Sequence, residues 1–340
     1  MGAMHRDNPR GWHCPQLTSF VAPGGRVTGF GRPGAFDMHW IVSHCTPLAP
    51  RRCAALDHVL RHWRALPREA ADESTLTPPH ERAHAQALGW HGDDGCLPWA
   101  ARSARQDGIE VGPEAWGLVT PVHARVGSDG VHLADPETLG LDATASRALL
   151  EVLRPLFEAE DMRLVWGAPQ RWYASHPSLH GLASASLDRV AGRNVEAWVP
   201  RQAAARPLRR LQNEAQMLLH EHPLNEVRET AGALPINSFW LSGCGVAQAE
   251  HASAVTLDER LRAPWLHADL PAWEAAWQAL EAEALVPLIA AAERGLAVRL
   301  TLCGERGSAS FEARPRPAWR RLTERVAAAP AASHDLLTTL

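Results

Sequence analysis

The chain has 340 residues, of which 46% are hydrophobic and 21% are charged, so it can bury one large core or two smaller ones. Its formal net charge of -4 argues against the strongly basic surface with which many proteins bind nucleic acids. All 34 basic residues are arginine, which excludes P-loop NTPases, protein kinases and pyridoxal-phosphate enzymes in the forms that require a lysine.

Cysteine usage and the lack of long apolar runs favour a cytoplasmic protein. The 6 cysteines are scattered and contain no CxxC pair, so the sequence predicts neither a zinc ribbon nor a thioredoxin-type site. No apolar run reaches the roughly 18 residues of a membrane span, and the first residues lack the apolar stretch of a signal peptide. We therefore expect no membrane partner and no nucleic-acid partner.

The sequence changes character at Met38. Residues 1–37 are rich in Gly, Pro and Arg and show no sustained periodicity, which predicts either a disordered extension or a stretch that precedes a start at Met38. The apolar run HWIVSHC that follows is typical of a buried first strand. Three helices are predicted next, at residues 51–66, 77–88 and 97–106.

Strands and helices alternate through the rest of the chain. Residues 115–133 predict a hairpin with its turn at 127–130, and residues 142–157 predict a helix capped by Asp142. Further strands are expected at 163–167, 296–302 and 308–313, and further helices at 270–294 and 318–327.

This alternation predicts an α/β fold in which a mixed sheet is flanked by helices. A single α/β body is expected at residues 38–330, and no internal repeat of fixed period is present. Residues 331–340 are expected to form a flexible tail.

The block LQNEAQMLLHEHPLNEVRETAGALPINSFWLSGCG at residues 211–245 concentrates polar residues that suit a ligand. It predicts an amphipathic helix that Pro223 ends, then a strand at 236–241 followed by a Gly-Cys-Gly turn. Proteins of α/β type bind ligands outside the carboxyl ends of strands, where a glycine-rich turn offers backbone N–H groups to an anion. The sequence therefore predicts an anion-binding rim made of Asn225, Arg228, Asn237, Ser242, Gly243 and Gly245.

Arg171 is a further ligand-binding candidate. With its neighbours Trp172 and Tyr173 it is expected on a loop after a strand, where it would form one wall of a ligand-binding site. Residues 186–194 form another polar cluster, for which a capped helix with solvated arginines is the simpler interpretation. A structural interpretation is also open for the rim, since Arg228 would suit a solvated helix and the two asparagines would suit turns.

The 18 histidines include one pair with metal-ligand spacing. His80 and His84 lie four residues apart and would share one face of the second helix. Their sequence, HERAH, lacks the HExxH order of zinc metalloproteases, so ordinary core or surface histidines are favoured. No serine is flanked by glycines in the GxSxG order, so no serine-hydrolase triad is predicted.

The pattern HPxNxxRxxxGxLPxNxxWLxGxG at residues 222–245 resembles a block of the archaeal-type cofactor-independent phosphoglycerate mutases, which belong to the alkaline-phosphatase superfamily. The whole chain resembles their bacterial relatives, the RpfE-type regulatory proteins. The resemblance implies a reduced alkaline-phosphatase-like, phosphoglycerate-mutase-like fold.

The metal and nucleophile motifs of those enzymes are not visible in this chain. In the mutases, aspartates and histidines hold two metals, with an early aspartate, a serine nucleophile and a late Asp-His pair. Here the first strand reads HWIVSHC without an aspartate, and the late strand runs into LCGERG. Together with the resemblance, these departures predict a pseudoenzyme: a regulatory or ligand-sensing protein without a cofactor.

The expected partner is a small anionic metabolite or a protein that the sequence does not identify. The alternative is an enzyme that carries out phosphoglycerate-mutase-like phosphotransfer or hydrolysis on a small phosphorylated or carboxylated substrate. In that case Asn225, Arg228 and Asn237 would hold the anion, and Mn or Zn would be the cofactor.

Overall fold

The first strand, β1 (Met38–Val42), lies inside a 6-stranded mixed sheet. The computed structural model describes residues 36–70, 72–199, 205–251, 254–313 and 333–340. In it, β1 pairs in parallel with β10 (Val255–Asp258) and with β11 (Val298–Cys303), so the carboxyl ends of these three strands meet at one edge. The sheet continues with β12 (Gly307–Ala313), which is antiparallel to β11 and pairs with the short strands β2 (Arg64–Ala65) and β3 (Glu69–Ala70).

A second sheet has four antiparallel strands in the order β7-β8-β4-β9. Its strands are β4 (Ala115–Val122), β7 (Arg163–Ala168), β8 (Arg171–Ser175) and β9 (Ser238–Val246). A separate hairpin joins β5 (Ala124–Gly127) to β6 (Gly130–Leu133).

Helices formed by the described residues pack on both faces of the mixed sheet and on the second sheet. They are α1 (Ala54–His62), α2 (Pro79–Leu88), α3 (Trp99–Gln106), α4 (Ala143–Glu158), α5 (Leu187–Val190), α6 (Arg206–His220), α7 (Pro223–Thr230), α8 (Arg262–Leu266), α9 (Leu270–Leu280), α10 (Val286–Glu293) and α11 (Ser333–Thr338). Because alternate residues of a strand point to opposite faces, Trp40 and Val42 join a core with α1, α9, α10 and α11. Ile41 packs on the other face against Ala83 of α2.

The predicted fold class, an α/β fold with a mixed sheet flanked by helices, is confirmed. The second helix is confirmed as α2, and the strand predicted at 163–167 is β7. Asp142 caps α4 as predicted, because its Oδ1 accepts a hydrogen bond from the backbone N–H of Ala145 at 2.8 Å. Pro155 lies within α4 without ending it.

Two predictions for the strands are wrong. The expected Gly-Cys-Gly turn is part of β9, because Gly243 and Gly245 lie in a strand that pairs with β4 as far as Val246. The hairpin predicted at 115–133 is confined to β5 and β6, whose turn at 127–130 is correct. The strand β4 pairs with β8 and β9 instead, since its buried side chains need partners on a larger sheet.

The predicted flexible tail is wrong for residues 333–340. These residues form α11 and the turn after it, and they bury Leu336, Leu337 and Leu340 in the core that also contains Trp40. Burial of these three leucines offsets part of the entropy cost of ordering the segment. The helix predicted at 318–327 lies outside the described residues, as does the predicted extension up to residue 35.

None of the helices in the described part of the chain is long and apolar enough to cross a membrane.

Candidate functional site

A small pocket opens at the carboxyl edge of the mixed sheet. His44 and Thr46 follow β1, and Gly304 and Glu305 follow β11, so two parallel strands deliver one side of the pocket. The first turn of α2, the helix α5 and the helix α8 supply the other side. The cavity has a volume of about 20 Å³, which is room for a water molecule or for the charged end of a ligand.

Two histidines and an aspartate converge at this pocket. His80 Nε2 lies 3.2 Å from Asp188 Oδ2, and His44 Nε2 lies 3.9 Å from the same oxygen. Each residue offers one donor atom, and these three atoms lie within 4.8 Å of one another. All three side chains are largely buried, so water and salt screen their interactions little.

The local sequence explains how the three side chains are placed. His44 has a left-handed backbone with φ 55°, which turns the chain after β1, and its Nδ1 lies 3.0 Å from Ser43 Oγ. Two consecutive prolines begin α2, so His80 falls in the first helical turn. Asp188 is fixed at the start of α5, where its backbone N–H donates to Ser186 Oγ at 3.3 Å.

Arg262 on α8 connects the aspartate to the turn that contains Glu137. Its Nε donates to Asp188 Oδ1 at 2.6 Å, and its Nη1 donates to Glu137 Oε1 at 2.9 Å. Asp135 Oδ2 lies 3.5 Å from the same Nη1. Arg262, Asp135 and Asp188 are almost fully buried, so each of these charges depends on the others for compensation.

Burial and pairing set the protonation of the three converging groups. Burial lowers the pKa of His44 to about 3, so its imidazole is neutral at neutral pH. Burial alone would raise the pKa of Asp188, but the Arg262 guanidinium and His80 hold that pKa well below its usual range. Burial also disfavours protonated His80, yet its hydrogen bond and ion pair with Asp188 outweigh burial and raise the His80 pKa. The pocket therefore contains a carboxylate beside a neutral imidazole.

Arg189 places a buried positive charge on the same pocket. It is 2% exposed, and it donates to the carbonyl oxygen of Glu305 at 3.1 Å and to Thr75 Oγ1 at 2.7 Å. The carboxylate of Glu305 pairs instead with Arg193 Nη2 at 2.6 Å. Within the described residues Arg189 has no ion pair, and its Nε has no partner. Burial lowers the pKa of Arg189 because the charged form loses hydration.

The residues of the predicted rim do not line this pocket. Asn225 accepts a hydrogen bond from the backbone N–H of Ile236 and donates to the carbonyl oxygens of Leu219 and Ile236, each at 2.8 Å. The side chain of Asn237 accepts from the N–H of Ala124 at 2.7 Å and donates to its carbonyl at 2.8 Å. Both asparagine side chains therefore pair with backbone groups of the protein.

The two arginines proposed for ligand binding also have protein partners. Arg228 donates to the carbonyl oxygens of Leu234, at 2.9 Å, and Leu139. Arg171 forms a two-bonded ion pair with Asp107, at 3.0 and 2.7 Å. Ligand binding by these residues stays a prediction, and the geometry gives them structural partners.

The glycines of the predicted rim permit close packing. Ser242, Gly243 and Gly245 lie in β9, and Gly243 has φ 62°. A Cβ added at Gly243 would lie 3.0 Å from the backbone nitrogen of Ala100. Glycine at this position lets α3 approach the second sheet.

The two histidines of the predicted pair have different contacts in the structure. His80 faces His44 and Asp188, whereas His84 packs against Trp99 with their ring centroids 5.0 Å apart. The sequence did not predict that His44, His80 and Asp188 come together, because these residues lie far apart along the chain. The available signals were a histidine directly after the first strand and an aspartate in the polar cluster at 186–194.

No protein-family model matches this chain, and no curated protein matches its sequence. Two solved structures are similar to it at low identity. A cofactor-independent phosphoglycerate mutase from Thermoplasma acidophilum DSM 1728 has a TM-score of 0.35 and 14% identity, over 82% of this chain and 90% of that chain. The PH0037 protein from Pyrococcus horikoshii has a TM-score of 0.42 and 11% identity, over 82% of this chain and 88% of that chain.

Proposed function

We propose that this protein is a regulatory, ligand-sensing protein that binds a small anionic metabolite at the pocket beside Arg189. The buried guanidinium of Arg189 carries the proposal, because its partners are a hydroxyl and a carbonyl oxygen and its Nε has none among the described residues. Burial of such a charge is costly unless an anion completes its surroundings. A phosphate or carboxylate group would supply that negative charge and accept the free N–H.

Two features at the strand ends support a sensing role on a degenerate phosphoglycerate-mutase-like scaffold. Ser43 is fully buried and donates to the carbonyl oxygen of Asp258 at 3.4 Å, so its hydroxyl does not face the pocket as a nucleophile would. The carboxylate of Asp258 accepts hydrogen bonds from Arg260 and from the Trp40 indole. Both residues are therefore engaged with protein partners, which supports the proposal of a sensing role.

Thermal unfolding in the presence of anions tests the proposal. Inorganic phosphate and 3-phosphoglycerate should each raise the melting temperature in a saturable way, since a ligand that binds the folded state stabilises it. The measurement is made in EDTA, with sodium chloride at the same ionic strength to correct for general salt effects. The same melting temperature in the anions and in chloride would contradict the proposal.

A pair of arginine variants locates the binding. The Arg189→Met variant should weaken anion binding by roughly 10- to 100-fold, the loss of one charge-assisted contact. The Arg171→Met variant is the matched control, because Arg171 lies in the second sheet and is paired with Asp107. Equal weakening in both variants would overturn the assignment to the pocket.

The second candidate is an enzyme that hydrolyses or transfers phosphate from a small substrate. The convergence of His44, His80 and Asp188 favours it, because such groups move protons or hold a metal in hydrolytic sites. Turnover of 3-phosphoglycerate or p-nitrophenyl phosphate that is lost in the His44→Asn variant would establish this candidate in place of the sensor.

A further inference from the structure

The convergence of His44, His80 and Asp188 has the chemistry of a transition-metal site. Their donor atoms lie within 4.8 Å of one another, with separations of 3.2 and 3.9 Å from Asp188 Oδ2 to the two imidazole nitrogens. Zinc binds imidazole nitrogen and carboxylate oxygen at about 2.1 Å, so the ligands of a tetrahedral ion lie about 3.4 Å apart. The separations of 3.2 and 3.9 Å lie about 0.2 and 0.5 Å from this spacing, and all three donor atoms lie within 4.8 Å of one another.

The groups behind these donors hold them in an orientation that suits a metal. Ser43 Oγ lies 3.0 Å from His44 Nδ1, which leaves His44 Nε2 to face the cluster. Arg262 Nε donates to Asp188 Oδ1 at 2.6 Å, which leaves Oδ2, the oxygen that faces His80, as the donor atom for a metal. Metal sites commonly fix their ligands by such outer hydrogen bonds.

The local charge also favours a cation. Arg262 is close to three carboxylates, those of Asp135, Glu137 and Asp188. Arg189, Arg193 and Glu305 also line the pocket, so three guanidiniums stand against four carboxylates, and the excess before the histidines are counted is one negative charge. The adjacent cavity of about 20 Å³ has room for a water molecule to complete the coordination of an ion.

We propose that His44, His80 and Asp188 bind one divalent transition-metal ion, with zinc as the ion that fits best. Two imidazoles and one carboxylate suit zinc, and the order of affinities among first-row metals places zinc above manganese and iron. This donor set differs from the aspartate-rich two-metal motif, which the sequence lacks. The inference uses three side chains other than Arg189, so it can succeed or fail independently of anion binding.

Zinc titration of the full chain tests this site. The protein is dialysed against EDTA, transferred to a phosphate-free buffer and titrated with Zn²⁺ in competition with a chromophoric chelator. We expect one ion per chain. Titration of the same protein with Co²⁺ should give the intense visible absorption of a four-coordinate ion, and this reading on the unaltered chain does not depend on whether any variant folds. Failure to bind Zn²⁺ at one equivalent would overturn the proposal.

Two histidine variants on one helix provide a matched comparison. The His80→Asn variant should weaken zinc binding by more than the roughly 10- to 100-fold that loss of an outer partner costs. The His84→Asn variant should bind zinc as the unaltered chain does, because His84 is a buried histidine one turn along α2 that contacts Trp99 instead of the cluster. An equal loss in both variants would overturn the assignment to His80.

The zinc and anion experiments are made under different conditions, so each proposal is tested separately. Zinc is titrated without phosphate, and the phosphate-dependent melting shift is measured in EDTA. A phosphate shift without zinc binding would overturn the metal site alone, and zinc binding without a phosphate shift would overturn the anion site alone.

Discussion

At the scale of single residues, polar side chains in the block at 211–245 serve the backbone. Asn225 is 3% exposed and satisfies one N–H and two carbonyl groups around the start of α7 and the approach to β9. Buried backbone groups are costly to leave unpaired, so an asparagine with three bonds is strongly constrained. A sequence pattern shows such a residue without showing whether its partner is a ligand or the chain itself.

Replacement of Asn225 distinguishes these two roles. The Asn225→Ala variant should lower the free energy of unfolding by roughly 2–4 kcal/mol, because it leaves buried backbone groups unpaired. Urea unfolding measures the change. The Asn213→Ala variant, at an exposed position of α6, should change stability by no more than about 0.5 kcal/mol. An Asn225→Ala variant that is as stable as the unaltered chain would support the predicted ligand-binding role.

At the scale of elements, the segment at 333–340 shows how packing overrides a local pattern. A short stretch after a Pro- and Ala-rich region predicts a tail, since its length gives little helical stability of its own. In the structure α11 is held by tertiary contacts, with Ser333 Oγ accepting from the N–H of Cys53 at 3.2 Å and Leu337 fully buried. Its order therefore depends on α1 and the mixed sheet.

The contribution of α11 to the stability of the protein can be measured by replacing one of its leucines. The Leu337→Ala variant should lower the free energy of unfolding by about 2–5 kcal/mol, because it removes a buried side chain and leaves a cavity. The Leu218→Ala variant, at a 44% exposed position of α6, should lower it by roughly 0.5 kcal/mol or less. Equal effects in urea unfolding would mean that residues 333–340 form the flexible tail that the sequence predicts.

At the scale of the whole molecule, the mixed sheet positions the candidate site, and it also buries a histidine that makes the stability of the protein depend on pH. His39 of β1 is buried beside Thr301 of β11, with its Nε2 2.9 Å from the Thr301 hydroxyl. Burial and the nearby Arg299 lower the pKa of His39 to about 4, and Glu312 opposes them. The folded protein therefore keeps this imidazole neutral at a pH where the unfolded chain binds a proton.

Stability should consequently fall as the pH is lowered. A histidine with a depressed pKa contributes fully above its unfolded value of 6.5, and that contribution is lost between pH 6.5 and about 4 because the unfolded state takes up the proton. The loss from His39 amounts to roughly 3 kcal/mol. In urea unfolding from pH 7 to pH 4, the His39→Asn variant should lose correspondingly less stability than the unaltered chain. The exposed His91→Asn variant serves as the control, and parallel curves for all three proteins would contradict the assignment to His39.

The sequence by itself determined the α/β class, the first strand, α2 and the cap of α4, because hydrophobic period and capping residues act over a few neighbours. It did not determine that Gly243 and Gly245 lie within a strand, since only pairing with β4 satisfies the backbone there. The tertiary structure alone decided the site. Parallel pairing of β1 and β11 places His44 at the sheet edge, and packing of α2 and α5 brings His80 and Asp188 to it. Contacts between residues so distant along the chain follow from the geometry of the sheet, which no local pattern encodes.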